Sequence, residues 1–125
     1  MYYRYDDDYT EEIGGPIVRL VYYCVVKETP RGVRITEDYT RGESPEMVAT
    51  EWKQYRELFP ALKPISSFLV LHNTIKKRAY PTKEEALASY IARKTRQVRI
   101  LKHQLASAEQ RLLTAHQMKK ENDNK

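Results

Sequence analysis

Apolar and polar residues in the first half of the chain follow patterns typical of β-strands. Nearly every position from Ile17 to Lys27 is apolar, β-branched or aromatic, which indicates a strand covered on both faces. The turn sequence TPRG at 29–32 follows, and the segment GVRITED after it suits a return strand. Residues 17–38 are therefore predicted to form a β-hairpin. On one face of its first strand, the side chains expected in the core are Val18, Leu20, Tyr22, Cys24 and Val26.

A short helix is predicted next. Ser44 suits a helix N-cap and Pro45 suits the first helical position. Apolar residues then fall on one helical face, namely Val48, Trp52, Tyr55 and Phe59. We therefore expect a helix over about 45–59, ending before Pro60.

Two further strands complete the predicted domain. The segment ISSFLVLH at 65–72 has the composition of a buried strand, and IKKRAY at 75–80 is predicted to be its hairpin partner. Together these elements predict an α+β fold over residues 15–80, in which a small antiparallel sheet is joined by one helix. Residues 1–14 precede it as an acidic N-terminal segment.

One long helix is predicted over 82–120. The sequence Thr82-Lys83-Glu84-Glu85 is a capping box, in which the first side chain accepts from the amide of the fourth residue and the fourth reaches back. No Gly or Pro interrupts the pattern that follows, and residues 121–125 are polar and expected to be a frayed tail.

The long helix carries the heptad pattern of a coiled coil. Its stripe contains Ile91, Val98, Leu105 and Leu112 at intervals of seven, with Leu101 and Ala108 between them. An intramolecular helical hairpin would need a bend that this sequence does not provide. We therefore expect a homo-oligomer, with alanines that favour a close, antiparallel approach, and an interface formed by Val98, Leu101, Leu105 and Leu112.

Charge is unevenly distributed along the chain. The net charge is +5, and the first twelve residues hold five acidic side chains. The segment from Lys76 to His103 instead holds nine Lys and Arg residues against two Glu. This asymmetry indicates an anionic ligand or a self-complementary surface, while a helix that is merely charged and solvated is the alternative.

Cations and tyrosines near the start of the long helix suggest a ligand-binding site. Arg93, Arg96 and Arg99 share one side of the helix, whereas Lys94 falls within the apolar stripe. Guanidinium groups bind phosphates and aromatic rings stack on bases, so this combination suits a nucleotide-type anion. The predicted ligand-binding residues are Arg78, Tyr80, Tyr90, Arg93, Lys94, Arg96 and Arg99.

Several function classes find no support in the sequence. The three histidines have no partners at catalytic or metal-binding spacing, and no Gly-rich phosphate loop follows a strand. We therefore expect no enzyme activity, no cofactor and no metal, and we expect Cys24 to be a buried, inert thiol. A basic zipper places its cations before the leucines, whereas here they overlap, so duplex nucleic acid is not an expected partner, although non-specific nucleic-acid binding stays open.

No apolar stretch approaches the roughly 20 residues of a membrane span, and the first residues do not resemble a signal peptide. A soluble protein that stays where it is made is therefore expected.

The segment KKRAYPTKEEALASYIARKTRQVRILKHQL, residues 76–105, resembles small proteins encoded by bacteriophages, most closely the Thoeris anti-defence sponges. The first 60 residues add agreement of fold class alone. The resemblance implies a homo-oligomer that binds and sequesters a cyclic nucleotide signal, a cyclic ADP-ribose isomer or cyclic oligonucleotide, without degrading it. It also implies the cytoplasm of the infected bacterial host as the location. The alternatives are a protein-directed inhibitor of a bacterial defence complex and a non-specific nucleic-acid-binding coiled-coil protein.

Overall fold

A computed structural model describes residues 1–12, 14–58 and 67–124 of the chain. The elements occur in the order β1 (Tyr2–Thr10), β2 (Gly15–Glu28), β3 (Gly32–Glu37), α1 (Pro45–Leu58), β4 (Ser67–Leu71) and α2 (Lys83–Asp123). The strands form one antiparallel sheet in the order β1-β2-β3-β4. This architecture confirms the predicted α+β class. The chain divides into two units, Met1–Tyr90 and Ile91–Lys125, which are described separately below.

The acidic N-terminal segment contains strand β1, which the sequence analysis missed. It pairs with β2 along its whole length, from Tyr2 opposite Tyr23 to Thr10 opposite Gly15. Two of the acidic residues form ion pairs within the sheet. Asp6 Oδ1 lies 2.6 Å from Arg4 Nε, and Asp8 Oδ2 lies 3.6 Å from Arg19 Nε. Cations on the same and the neighbouring strand thus allow an aspartate-rich segment to adopt an extended conformation that its composition disfavours.

The sheet buries apolar side chains on both faces, as the sequence of β2 predicted. One cluster joins Val21 and Tyr23 to buried residues of β3 and β4 and to Ala79. The other joins Cys24 and Val26 to the buried face of α1. Val18, which we expected in the core, is 51% exposed instead. The prediction is wrong there because the first half of β2 extends beyond the part that α1 covers.

The segment between β3 and α1 is organised by the buried carboxylate of Asp38. Its Oδ1 accepts from the Thr40 amide at 2.9 Å and from the Thr40 hydroxyl, and its Oδ2 accepts from the Gly42 amide at 3.0 Å. Arg41 and Gly42 both have positive φ angles, 56° and 85°. Helix α1 then begins at Pro45 as predicted and is described to Leu58, so the predicted end at residue 59 lies outside the described residues.

Strand β4 confirms the central part of the strand predicted over 65–72, but residues 65 and 66 lie outside the described part of the chain.

The prediction that IKKRAY at 75–80 forms the hairpin partner of β4 is wrong. That segment is irregular, and Tyr80 bridges Tyr3 instead: the Tyr3 amide donates to the Tyr80 carbonyl at 2.7 Å, and the Tyr80 amide donates back at 2.9 Å. Ala79, which is fully buried, fixes the segment against the core by packing in the cluster formed by β2, β3 and β4.

Helix α2 begins where the capping box predicted. The Glu85 amide donates to Thr82 Oγ1 at 3.2 Å, and Ala86 in the first turns is buried. The helix continues to Asp123, beyond the predicted end at residue 120. Polar residues of this kind do not stop a helix in the absence of Gly or Pro, so residues 121–123 of the predicted frayed tail are helical, and residue 125 lies outside the described residues.

Candidate anion-binding cleft

Two cations lie opposite each other on neighbouring strands of the sheet. The register between β2 and β3 shifts between Val25 and Lys27, which marks a β-bulge. Val25 pairs with Ile35, Val26 is the extra residue of the bulge, and Lys27 therefore stands opposite Arg34. Because like charges directly opposite each other destabilise a sheet, the arrangement has an energetic cost that a bound anion would relieve.

Helix α1 supplies the facing wall of a cleft. Its volume is about 720 Å³, and its described lining consists of Lys27, Arg34, Trp52, Lys53, Arg56, Glu57 and Ser67. The Arg56 guanidinium lies 5.0 Å from the centre of the Trp52 ring, a cation–π contact that orients it. Arg34 Nη1 donates to Ser67 Oγ at 3.1 Å. The cleft therefore holds two oriented guanidinium groups, Arg56 on α1 and Arg34 on the sheet. In the described lining one carboxylate, Glu57, accompanies four cations.

A second cavity adjoins the cleft. It has a volume of about 330 Å³ and is lined by Lys27, Thr29, Pro30, Arg31, Arg34 and Leu69. Since Lys27 and Arg34 line both cavities, the cross-strand pair stands where the two meet. Leu69, which is 46% exposed, adds an apolar surface on the same side of the sheet because it pairs with Arg34.

The side chains of the cleft suit the binding of an anion. Arg and Lys side chains at ordinary pH are donors and positive charges, and an arginine fork matches the geometry of a phosphate or carboxylate. In the ranges 1–12, 14–58 and 67–124, no group of three or more His, Cys, Asp and Glu side chains is arranged to hold a metal ion.

Three of the predicted ligand-binding residues belong to the first unit, where each makes structural contacts. The Arg78 guanidinium lies 3.7 Å from the centre of the Phe68 ring, and the Arg78 carbonyl accepts from Arg4 Nη1 at 2.8 Å. The Tyr80 hydroxyl accepts from the Lys77 amide at 3.4 Å. The Tyr90 hydroxyl donates to Asp7 Oδ1 at 2.7 Å.

The other four predicted ligand-binding residues belong to the second unit. Arg93, Arg96 and Arg99 are exposed along α2. Lys94 is half-buried and its Nζ donates to Gln97 Oε1 at 2.7 Å. The structure therefore distributes the predicted set over two units.

The predicted interface residues are all exposed within the described part of the second unit. Their exposed fractions are 48% for Val98, 53% for Leu101, 59% for Leu105 and 59% for Leu112.

The tyrosines of the first unit take part in aromatic and cation contacts at the start of α2. The Tyr3 and Tyr22 rings meet edge to face with their centres 5.5 Å apart. Lys83 Nζ lies 5.6 Å from the first ring and 5.5 Å from the second, and the Arg41 guanidinium lies 5.9 Å from the Tyr22 ring. The high tyrosine content thus serves in part to attach the first turn of α2 to the sheet.

Sequence reasoning missed the cleft cations Lys27, Arg34, Lys53 and Arg56. The spacing of Lys53 and Arg56 around Trp52 on the predicted helix was visible, since residues three apart share a face. The bulge that places Lys27 opposite Arg34 had no local signal, because no Gly or Asn marks it.

Cys24 lies in the core, and burial is the main cause that raises the pKa of its thiol, followed by the nearby Asp38 carboxylate. Its burial agrees with the expectation of an inert thiol. Among the described helices, none is long and apolar enough to cross a membrane.

Comparison with known proteins found no matching protein family, no matching curated protein and no matching solved structure.

Proposed function

We propose that the protein captures a nucleotide-type anion in the cleft between α1 and the sheet and leaves it chemically unchanged. The observation that carries this proposal is the pair of Lys27 and Arg34, which the β-bulge places opposite each other on β2 and β3. Arg56 of α1 lines the same cleft. Two cations on neighbouring strands, with no acidic residue between them in the described part of the sheet, suit the binding of a phosphate or carboxylate.

The size and lining of the cleft support a nucleotide over a simple inorganic ion. A volume of about 720 Å³ falls in the range of small-molecule sites and far exceeds the needs of one phosphate. Leu69, which is 46% exposed, offers apolar surface beside the cations, and the buried Trp52 ring lines the cleft at its base, which suits a ligand that combines charged groups with an apolar part. A compact cyclic nucleotide fits these requirements.

The resemblance of residues 76–105 to phage anti-defence sponges supports the biological setting of the proposal. In that setting the protein is a phage-encoded immune-evasion protein that sequesters a cyclic ADP-ribose isomer or cyclic oligonucleotide in the cytoplasm of the infected bacterial host. Such a protein works by stoichiometric capture, so it needs affinity and no catalytic group. The stripe of α2 supports a homo-oligomer as the working form.

Calorimetry tests the proposal. Cyclic dinucleotides, cyclic trinucleotides and cyclic ADP-ribose isomers are titrated into the protein, with the corresponding linear nucleotides as controls. We expect at least one cyclic ligand to bind more tightly than about 10 μM. Chromatography after incubation should recover that ligand intact. Failure of the whole panel to bind would reject nucleotide capture and favour a protein-directed inhibitor, whereas recovery of shortened products would reject sequestration.

A further inference from the structure

Positive charge is concentrated in the second unit of the chain. Residues 91–125 hold nine Lys and Arg residues against three acidic ones, whereas residues 1–90 hold thirteen against fourteen. The second unit therefore has a net charge of +6 and the first a net charge of −1, which together give the +5 of the whole chain. Because α2 is one continuous helix to Asp123, it presents these cations at regular spacing.

The side of α2 opposite the apolar stripe, which we call the outer face, carries no acidic residue. At about 100° per residue, side chains three, four or seven positions apart share this face. Its exposed members are Arg96, Arg99, His103, Gln110, Thr114 and Gln117. Arg93 and Arg111 lie on one flank of it, whereas Glu109, the single acidic residue between positions 86 and 120, falls beside the stripe.

Arg96 and Arg99 are accessible to a partner. Both are exposed, and within the described part of the chain neither guanidinium group takes part in an ion pair. At 1.5 Å per residue they are about 4.5 Å apart along the helix axis, on neighbouring turns. Like charges this close destabilise a helix slightly, and a row of anions along the face would remove that cost.

The composition of the outer face favours phosphates over a protein surface as its partner. Arg, Thr and Gln side chains commonly contact the phosphates of nucleic acids, and an arginine fork matches phosphate geometry. The centres of protein–protein interfaces are instead enriched in aromatic residues, and α2 has no Phe, Tyr or Trp after Tyr90. The same absence leaves no rings on which unpaired bases could stack, so a duplex fits better than a single strand.

Contact with phosphates alone differs from the contact made by a basic zipper. A zipper inserts the cations that precede its leucines into the major groove and reads base edges there. The cations of α2 lie on the other side of the same turns that carry the stripe, so they can meet a duplex only from outside. The face therefore has the means to hold a backbone and lacks the arrangement that reads a sequence.

We infer that the outer face of α2 binds the phosphate backbone of a nucleic-acid duplex without reading its sequence. This activity is separate from nucleotide capture, since it uses none of the cleft residues. It is also separate from self-association, because the outer face lies opposite the stripe and stays accessible when the stripe is covered.

Fluorescence anisotropy measures the binding. Short labelled DNA and RNA duplexes are titrated with the full chain over a series of salt concentrations, as separate arms because both share the phosphate backbone. Contact between about four arginines and phosphates should give a log–log salt slope of about −3 to −4. We expect at least one duplex to bind with a Kd of about 10⁻⁴–10⁻⁶ M or tighter at physiological salt. Failure of both duplexes to bind at about 50 mM salt would overturn the inference.

Two double variants of equal charge test the face. Arg96→Gln with Arg99→Gln removes two cations from the outer face, whereas Lys119→Gln with Lys120→Gln removes two from the end of α2, away from that face. Each pair of changes takes two charges from the chain and lowers its net charge from +5 to +3. The first variant should bind the duplex at least tenfold more weakly, with a salt slope smaller by about 2. The second should stay within about twofold of wild type. Equal losses would show that net charge alone attracts the duplex and would refute the face.

An acidic protein is the competing partner, and polyglutamate serves as its probe. Added at the same concentration of negative charge as unlabelled duplex, polyglutamate should displace the labelled duplex much less, because its carboxylates lack the dense charge of a duplex backbone. Equal or better displacement by polyglutamate would assign the face to an acidic protein and reject a nucleic acid.

Discussion

Asp38 is a buried carboxylate whose three hydrogen bonds all go to the loop that leads into α1. Removing its side chain takes the acceptor away from the half-buried Thr40 and from the exposed Gly42 amide, so the loop loses the hydrogen bonds that order it. Hydrogen bonds to a charged group each contribute about 1.5–3 kcal/mol.

Asp38→Ala should therefore lower the free energy of unfolding by roughly 2–4 kcal/mol, as measured by urea denaturation. The exposed neighbour Glu37 provides the control, and Glu37→Ala should change this free energy by less than about 0.5 kcal/mol. Equal effects of the two substitutions would show that the loop does not depend on the buried carboxylate.

The Cys24 thiol allows a prediction about pH. Because burial raises its pKa, the unfolded chain loses the thiol proton first as pH rises. The contribution of the neutral thiol to stability is thus complete below the unfolded pKa of about 8.5 and is lost as pH rises through the folded pKa. At pH 8 the native thiol should fail to react with a disulfide reagent that reacts fully in denaturant, and rapid reaction of the native protein would contradict its burial.

At the scale of elements, the approach of β3 to β4 depends on Gly32. A methyl group at this position would overlap the Val70 carbonyl oxygen and crowd the Leu71 backbone. The requirement for Gly at position 32 therefore comes from this contact and not from a positive φ, because the positive-φ glycines of the described chain are Gly14 and Gly42.

Gly32→Ala should lower the free energy of unfolding by about 1–3 kcal/mol, because one of the two strands must shift. Gly15, at the start of β2, has open space where a methyl group would stand, and Gly15→Ala should be nearly neutral. Thermal unfolding of the two variants side by side makes the comparison. A fully stable Gly32→Ala protein would mean that β4 does not pair with β3 at this distance.

The elements that could be predicted from the sequence are those with local signals. The turn at 29–32 is closed by hydrogen bonds between Thr29 and Gly32, and the capping box by the bond from the Glu85 amide to Thr82, so each signal lies in residues that contact one another. Pro45 marks the start of α1 in the same local way. Strand β1 could not be predicted in this way, because Asp8 pairs with Arg19 across the sheet and Asp7 accepts a hydrogen bond from Tyr90, and both partners are distant in sequence.

The segment IKKRAY illustrates the opposite error. Its composition is compatible with a strand, but tertiary contacts of Ala79 and Tyr80 determine its course. The cleft was missed for a related reason, since Lys27 becomes the neighbour of Arg34 through a bulge that the alternating pattern does not reveal. The cations on α2 were easy to recognise because a helix places them at regular spacing.

At the scale of the whole molecule, positive charge occurs in two sets. One set lines the cleft of the first unit, and the other follows α2 in the second unit. The proposed function assigns capture to the cleft and self-association to the helix. Net charge of +5 would draw an anion to either set, so affinity measured on the wild-type protein does not distinguish them.

The comparison of two double variants by calorimetry tests this assignment most directly. Arg34→Gln with Arg56→Gln removes both guanidinium groups from the cleft, whereas Arg93→Gln with Arg96→Gln removes the same charge from α2. Charge-assisted hydrogen bonds are each worth about 1.5–3 kcal/mol, so the cleft variant should bind its cyclic nucleotide roughly a hundredfold more weakly, or worse. The helix variant should keep wild-type affinity. Undiminished binding by the cleft variant, with loss in the helix variant, would contradict the cleft as the site of capture.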